Sequence, residues 1–354
     1  MGSIMFRTLQ YSIVFTVPGA VVLGLLWGGL WTYFTPFYLF VLIPALDHWL
    51  GLDTTNSVEE PAPSTGFFDL WLFLWVPTQL IVMAWALIHI SQNVLPTFEI
   101  VGLTLSVGMM ASGGGINIAH EFMHRKSPFQ RALAEVLMTS VSYTHFCVEH
   151  VLGHHKYVGT PKDPATSRKN ENIYTFLPRT LIGGLMSAWR LETERAHKRQ
   201  LTWTLKDRRL RYSIIYIAVM TTLGLYFGTL GCLFFLGQSA VAILLLEVIN
   251  YVEHYGLFRK HLENGRYERV SPKHSWNSAH RLTNALLINL PRHADHHYMA
   301  SRPYQHLKHI EESPQLPTGY SAMLLLALAP PLWKKVMNPK VDDWNQRVLK
   351  ADSV

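Results

Sequence analysis

Long apolar segments constrain this sequence most. A helix needs about 20 apolar residues to cross the hydrocarbon core of a bilayer. Six segments approach or exceed that length, and they lie near residues 11–33, 36–51, 68–90, 97–118, 212–236 and 238–255. Because hydrocarbon offers no partners for exposed backbone groups, such segments must be helical. The sequence therefore predicts an all-α integral membrane protein with six transmembrane helices.

The placement of basic residues predicts an orientation. Arg7 is the only Lys or Arg before Arg125, and the connectors near 34–36, 91–96 and 237 contain neither residue. The positive-inside rule places the Lys- and Arg-rich segments, and with them both termini, in the cytoplasm. We therefore expect a single membrane domain over residues 1–354, whose segments 119–211 and 256–354 form a cytoplasmic, histidine-rich cap.

Composition excludes several classes of protein. Hydrophobic residues make up 49% of the chain and charged residues 16%, which rules out disorder and argues against an ordinary water-soluble enzyme. Only two cysteines, Cys147 and Cys232, are present. They are too few for a disulfide scaffold, a cysteine-ligated cluster or a built-in rubredoxin site. Nucleic acid is not an expected partner.

Histidines form the main candidate site. The chain has 18, and nine of them fall in four clusters at the predicted cytoplasmic ends of spans. Three clusters contain an HxxxH spacing, which puts two imidazoles on one face of a helix. The nine are His120, His124, His150, His154, His155, His254, His293, His296 and His297.

Metal binding is the best reason to gather so many imidazoles. A single histidine in a helix is more often a packed or solvated residue, but repeated clusters beside hydrocarbon are costly unless they coordinate something. Nine nitrogen donors exceed the needs of one metal, so two metals with four or five ligands each are expected. Imidazole suits iron, copper, zinc and nickel, and the pattern alone leaves that choice open.

Several polar residues are candidates for supporting the imidazoles. Acids next to the histidines can accept a hydrogen bond from the second ring nitrogen and so orient each ligand. Solvated charges at helix ends are the alternative for any one of them. The candidates are Glu121, Glu149, Asn250, Glu253, Asn277, His280 and Asp295.

One motif allows a different activity. Residues 120–124 read HEFMH, which matches the HExxH signature of zinc proteases. A protease would use His120, His124 and one further ligand, with Glu121 as general base. That interpretation leaves the other histidine clusters without a role, so we keep it as a remote alternative.

Longer strings resemble a known family. They are EHVLGHH at 149–155, TPKDPATSR at 160–168, NYVEHYGL at 250–257, HSWNS at 274–278, RHADHH at 292–297 and LPTGY at 316–320. Together they resemble the membrane-bound alkane 1-monooxygenases, over residues 36–345. This family is a branch of the histidine-rich non-haem diiron membrane superfamily. Fatty-acid desaturases share the HxxHH spacing but lack the NYVEHYG string. They and the xylene-type methyl hydroxylases are the nearer alternatives.

The resemblance implies an activity. The enzyme would hydroxylate the terminal methyl of a linear alkane to a 1-alkanol, using O2 as co-substrate. Two iron ions would be held by the nine histidines, and rubredoxin, reduced by rubredoxin reductase, would supply the electrons. The alkane would enter from membrane lipid, in the inner membrane of a bacterium. The family commonly has a glycine between the first two histidines, whereas this chain has Met123, preceded by the bulky Phe122. That difference leaves the preferred chain length in doubt.

Two further features have alternative interpretations. The glycines 113–115 would let a substrate pass close to the backbone, or would serve ordinary close packing between helices. A basic run is either a docking surface for an acidic electron donor or an anchor to anionic lipid. It comprises Arg195, Lys198, Arg199, Lys206, Arg208, Arg209 and Arg211.

Overall fold

The computed structural model describes residues 8–56 and 66–351. Within those ranges the chain is helical, and extended pairing is limited to isolated bridges such as Leu52 with His280. The helices are α1 (Gln10–Trp27), α2 (Gly29–Leu50), α3 (Gly66–Gln92), α4 (Thr97–Met123), α5 (Pro128–Thr139), α6 (146–157), α7 (Ile173–Lys198), α8 (Arg208–His254), α9 (Arg281–Leu286), α10 (His293–Tyr298), α11 (Tyr320–Ala327) and α12 (Pro330–Ala351).

Five of these helices, α1, α2, α3, α4 and α8, are long and apolar enough to cross a membrane. The prediction of an all-helical membrane protein is therefore confirmed for the described residues. The connector expected near 91–96 is present, because α3 ends at Gln92 and α4 begins at Thr97. Helix α8 packs along α4 and α3, and α1 packs against α4, so the apolar helices form one bundle.

Two predicted breaks between spans were misplaced, and glycines explain both. The connector expected near 34–36 lies inside α2, which begins at Gly29 rather than near 36. The first span ends at Trp27 rather than near 33, because Gly28 leaves the helical region with φ 61° and ψ −161°. Helix α8 continues through residue 237 and is interrupted instead at Gly228, with φ 62° and ψ −164°. Side chains larger than hydrogen are strained in this region of backbone conformation, so it is essentially restricted to glycine. The apolar pattern alone contains no signal for such breaks.

The helices that follow the spans pack around the end of α8. Trp276, Tyr251, Tyr255 and Trp333 are fully buried there and form a second apolar cluster with residues of α11 and α12. Tyr251 lies on α8 three residues before His254, and Tyr255 directly follows the helix. This cluster fixes the end of α8 and hence the position of the histidine that it contributes.

Candidate metal centre

Four chain segments bring all nine predicted histidines together. His120 lies near the end of α4 and His124 directly follows it, α6 carries three of the rings, α8 ends at His254, and α10 carries the last three. The ring nitrogens form two groups, in each of which the candidate ligand atoms lie within 4.8 Å of one another. The five-histidine group contains His120, His124, His150, His155 and His296, and the four-histidine group contains His154, His254, His293 and His297.

In the five-histidine group, neighbouring Nε2 atoms face one another at short distances. The His150 Nε2 atom lies 3.2 Å from that of His124 and 2.9 Å from that of His155. The His155 Nε2 atom lies 3.1 Å from that of His296. The fifth ring, His120, packs edge-on against His150 and His296, with centroids 4.4 Å apart in both pairs.

The four-histidine group repeats this arrangement. The His297 Nε2 atom lies 3.2 Å from that of His154 and 2.9 Å from that of His293. The His293 Nε2 atom is in turn 3.3 Å from that of His254. The two groups adjoin, because the rings of His155 and His297 have centroids 4.6 Å apart.

A widened turn of α6 decides which histidines share a group. The HxxxH spacing of His150 and His154 predicts one face for both, but the structure puts His150 with His155 instead. Residues His150–His154 form a π-helical segment, whose hydrogen bonds run from i to i+5. Rings five apart therefore come together, and His154 points to the other group. The prediction of a shared face was wrong for this pair and correct for His120 with His124 and for His293 with His297.

The nitrogen positions fit metal ions. With metal–nitrogen bonds of about 2.1 Å, adjacent ligands lie about 3.0–3.4 Å apart, depending on coordination geometry. The observed Nε2 separations, from 2.9 to 3.3 Å, fall in or close to this range. The Nε2 atom of His120 is buried and has no hydrogen-bond partner among the described residues. A buried polar atom without a partner is costly, and a metal at the centre of the group would remove that cost.

Burial keeps most of these rings neutral, as metal ligation requires. It lowers the pKa of His124 to about 4 and lowers the pKa values of His150, His155 and His296 well below the usual range. His154 differs. Burial alone would lower its pKa, but the charge of Asp163 and the hydrogen bond to it outweigh burial and raise the pKa.

Asp163 is the supporting residue that the sequence analysis missed. Its Oδ2 atom lies 2.9 Å from Nδ1 of His154, and both side chains are buried. Thr166 donates to the same oxygen at 2.6 Å, and the Ala165 backbone N–H donates to Oδ1 at 3.0 Å. This is the carboxylate–histidine pairing that orients metal ligands. Asp163 lies inside the TPKDPATSR string, but it follows its histidine by nine residues, so adjacency did not reveal it.

Among the predicted supporting residues, Glu253 and Glu149 lie at the site. A Glu253 oxygen lies 3.2 Å from Nε2 of His293, and its other oxygen accepts a hydrogen bond from Tyr320 at 2.8 Å. Glu149 lies against the backbone of Gly153, where a Cβ atom would overlap its carboxylate. Burial raises the pKa of Glu149 to about 7.

The other five have their hydrogen bonds elsewhere. Glu121 accepts from Arg125 at 2.7 Å, and Asp295 pairs with Arg302. Asn250 donates to Glu247 at 3.2 Å, and His280 bonds to Ser278 at 3.0 Å. Asn277 accepts from the Ala294 backbone N–H and bonds to the His309 ring. Direct support of a ring by these residues is therefore not what the structure shows. Neighbouring arginines explain why Glu121 and Asp295 do not contact the rings, because a buried carboxylate pairs with a cation where one is available. The two histidines of the HExxH motif, His120 and His124, share their group with three further histidines, whereas a zinc protease would need one further ligand.

A narrow cavity leads from the helix bundle to the histidines. Its volume is about 30 Å³, room for one or two water molecules. Its walls are mainly apolar and include Gly113, Ile116, Phe146, Leu246, Ile249, Leu287 and Leu290. The polar residues that line it are Ser112, Asn117, Asn250 and Glu253, together with the three histidines His120, His150 and His293. Phe122 and Met123 are buried elsewhere, with Phe122 against Phe73, so they do not line it.

The three glycines of α4 have different roles. Gly113 faces this cavity, and a Cβ atom there would meet only Leu287, at 3.9 Å. A Cβ at Gly114 would overlap the Trp75 ring, and one at Gly115 would overlap Gln79. Close packing against α3 therefore explains two of the glycines, and access to the cavity explains the third.

The chain is similar to known proteins over most of its length. A family model described as fatty acid desaturase matches residues 96–326. Alkane 1-monooxygenase 1 of Pseudomonas aeruginosa is 40% identical over 317 residues, covering 88% of this chain and 83% of that protein. Alkane 1-monooxygenase 2 of Alcanivorax borkumensis is 40% identical over 330 residues, covering 90% and 85%. The xylene/toluene monooxygenase hydroxylase component of Pseudomonas putida is 26% identical over 345 residues, covering 96% and 90%.

These similarities extend over nearly the whole chain and include every segment that contributes a histidine to the two groups. The chain therefore belongs to the alkane 1-monooxygenase family, within the membrane superfamily that includes fatty-acid desaturases, and is a monooxygenase.

Proposed function

We propose that this enzyme hydroxylates the terminal methyl of linear alkanes to 1-alkanols at a pair of iron ions. The observation that carries the proposal is that histidines of both groups line a cavity whose other walls are mainly apolar. An alkane dissolves in lipid and has no polar group, so burial of its apolar surface is the main force that can bind it.

The nine histidines would hold the metals, one ion in each group. When bound, two iron ions supply the electrons and the binding site with which O2 is activated for attack on an unactivated C–H bond. Asp163 holds the His154 ring in one orientation, and Glu253, beside His293, is placed to accept or donate a proton at its carboxylate.

The cavity walls would select the methyl end. Leu246, Ile249, Leu287 and Leu290 are flexible aliphatic side chains, and at a volume of about 30 Å³ they must separate before a chain can enter. A linear, unbranched alkane requires the smallest displacement of these side chains. It would therefore enter with its end first, which favours attack at the terminal methyl. The same side chains exclude water from the histidines, and that protects a reactive centre from side reactions.

Electrons would come from rubredoxin, reduced by rubredoxin reductase. The chain has two cysteines, Cys147 and Cys232, and a four-cysteine iron site cannot be built from them. A separate donor is therefore required. We also propose an inner-membrane location with six crossings, in which Gly228 divides α8 into two spans, and with both termini and the histidine-bearing segments on the cytoplasmic side.

Product analysis tests this function. Purified enzyme in lipid nanodiscs is supplied with O2, rubredoxin, rubredoxin reductase and n-alkanes of graded length, and the products are separated by gas chromatography. We expect 1-alkanols. Olefins would replace the proposal with a desaturase, and hydroxylation of methylated aromatics alone would replace it with a xylene-type activity. The control is the double variant His150→Ala/His293→Ala, which removes one histidine from each group. Its products give the background of the assay.

A further inference from the structure

The middle of helix α7 exposes apolar residues, while several polar residues of the same helix are buried. Its buried side carries polar residues: Thr180 donates to Glu247 at 2.8 Å, and Ser187 and Glu192 are also buried. The buried residues also include the apolar Ile173, Phe176, Ala188 and Ala196. The exposed residues from Ile182 to Trp189 are apolar, whereas those from Arg190 to Lys198 are polar. A helix that covers a soluble core exposes polar residues instead.

The exposed apolar residues form one stripe. Ile182, Leu185, Met186 and Trp189 follow the spacing i, i+3, i+4 and i+7, which places them on one helix face. Their exposed fractions run from 46% to 67%. At 1.5 Å per residue the stripe is about 10 Å long. Contiguous exposed apolar surface of this kind marks a binding surface for a protein or a membrane.

Two tryptophans indicate which of the two it is. The Arg209 guanidinium lies 6.0 Å from the Trp189 ring and 5.9 Å from the Trp203 ring. Trp203 is 76% exposed, and Leu205 beside it is also exposed. Tryptophans paired with arginine are typical of the head-group level of a bilayer, where the ring meets apolar chains and the cation meets phosphate.

The stripe is continuous with a helix that spans the membrane. Leu185 and Trp189 of α7 line a hollow of about 200 Å³ together with Arg209 and Tyr212 at the start of α8. One and two turns further along α8, Ile214 and Ile217 are exposed as well. Exposed apolar residues therefore lie on both sides of this hollow, on the stripe and on the membrane-spanning helix.

The basic run supports lipid rather than protein as the occupant. Carboxylates already pair with four of its members: Arg195 with Glu192, Arg209 with Asp207, and both Arg208 and Arg211 with Glu135. Its exposed members include Lys198, Arg199 and Lys206. Exposed cations that flank an apolar stripe complement the anionic phospholipid head groups of a cytoplasmic leaflet.

We propose that α7 is seated in the membrane surface, with the stripe Ile182–Leu185–Met186–Trp189 inserted among lipid acyl chains and the neighbouring cations on anionic head groups. The occupant is the bilayer that surrounds α8. Part of the segment 119–211, expected to lie in the cytoplasm, is thus in contact with lipid. This placement does not depend on the reaction that the histidine groups support.

Spin labels test the placement. Single cysteines replace Ile182, Met186 or Glu194 in a Cys232→Ala background, and the protein is placed in nanodiscs that contain anionic phospholipid. Cys147 is buried, so the background without an added cysteine controls for stray labelling. The three positions are exposed, so each replacement removes little buried contact.

We expect labels at positions 182 and 186 to collide more often with lipid-soluble oxygen than with a water-soluble nickel complex. The label at position 194 should show the reverse preference. Equal access of the nickel complex at positions 186 and 194 would overturn the proposal. So would protection of position 186 that appears only after an acidic electron-transfer protein is added, because the stripe would then belong to a protein partner. The iron content and product profile of the same samples report separately on the proposed function.

Discussion

Replacing Asp163 by asparagine keeps the size of the side chain and removes its charge. In the native protein the two carboxylate oxygens accept from three donors: the His154 ring, the Thr166 hydroxyl and the Ala165 backbone N–H. Asparagine has one acceptor oxygen, so its NH2 group must face a donor at the other position. The variant therefore loses a charge-assisted hydrogen bond and leaves at least one buried donor without a partner.

The expected cost falls on the four-histidine group. Loss of a residue that orients a metal ligand typically lowers metal affinity 10- to 100-fold, which equals about 1.4–2.7 kcal/mol. We expect the upper part of that range here, because His154 and Asp163 are both buried and no water can replace the lost acceptor. The five-histidine group contains neither residue and should retain its affinity.

Metal analysis in the presence of a chelator measures this difference. At a chelator concentration where the native enzyme keeps two metals per chain, Asp163→Asn should keep about one and lose most of its hydroxylase activity. Asp342→Asn removes an exposed carboxylate that pairs with Lys169 and should behave like the native enzyme. Full retention of both metals by Asp163→Asn, with an unchanged unfolding temperature, would refute the assigned role of this carboxylate.

Three further predictions concern glycines and a histidine outside the two groups. Gly113→Val should shorten the longest alkane that is accepted, as seen in product profiles, without loss of metal. Gly114→Ala should lower the unfolding free energy by about 1–3 kcal/mol, because the new methyl overlaps the Trp75 indole of α3. Gly228→Ala should lower the unfolding free energy by about 1–3 kcal/mol, because φ is 62° there. Gly224→Ala on the same helix should not, because its methyl would meet only the Cys232 sulfur, at an ordinary contact distance of 3.9 Å. His280→Ala should leave metal content unchanged, because its ring bonds to a serine outside both groups.

Contrary results would be informative in each case. An unchanged length profile in Gly113→Val would mean that the substrate reaches the histidines by another route. Equal stability of the Gly228 and Gly224 variants would mean that the break in α8 carries no strain. Loss of a metal in His280→Ala would place that ring among the ligands after all.

The sequence was sufficient to predict several of the apolar helices and the histidines that come together, because both depend on local patterns. Apolar length predicted α3 and α4 closely, and repeated histidine clusters predicted all nine rings that the structure brings together. Backbone conformation was the main source of error. Nothing in the apolar pattern distinguishes Gly28 or Gly228 from the glycines that remain helical, so the breaks at those positions were missed.

Support of the ligands was harder to predict than the ligands themselves. Adjacency in sequence suggested Glu121 and Asp295, but nearby arginines bind both carboxylates. Asp163 reaches His154 only because the chain turns back after α6, and the π-helical turn that separates His154 from His150 has no reliable sequence signature. Contacts of this kind depend on tertiary packing, which local spacing does not encode.

X-ray absorption at the iron edge, combined with metal analysis of the purified enzyme in nanodiscs, tests the central claim most directly. The account predicts two iron ions per chain with only nitrogen and oxygen neighbours at about 2.1 Å, the distance typical of imidazole ligands. A single metal per chain, stoichiometric zinc in the active enzyme, or a sulfur neighbour from cysteine would contradict it.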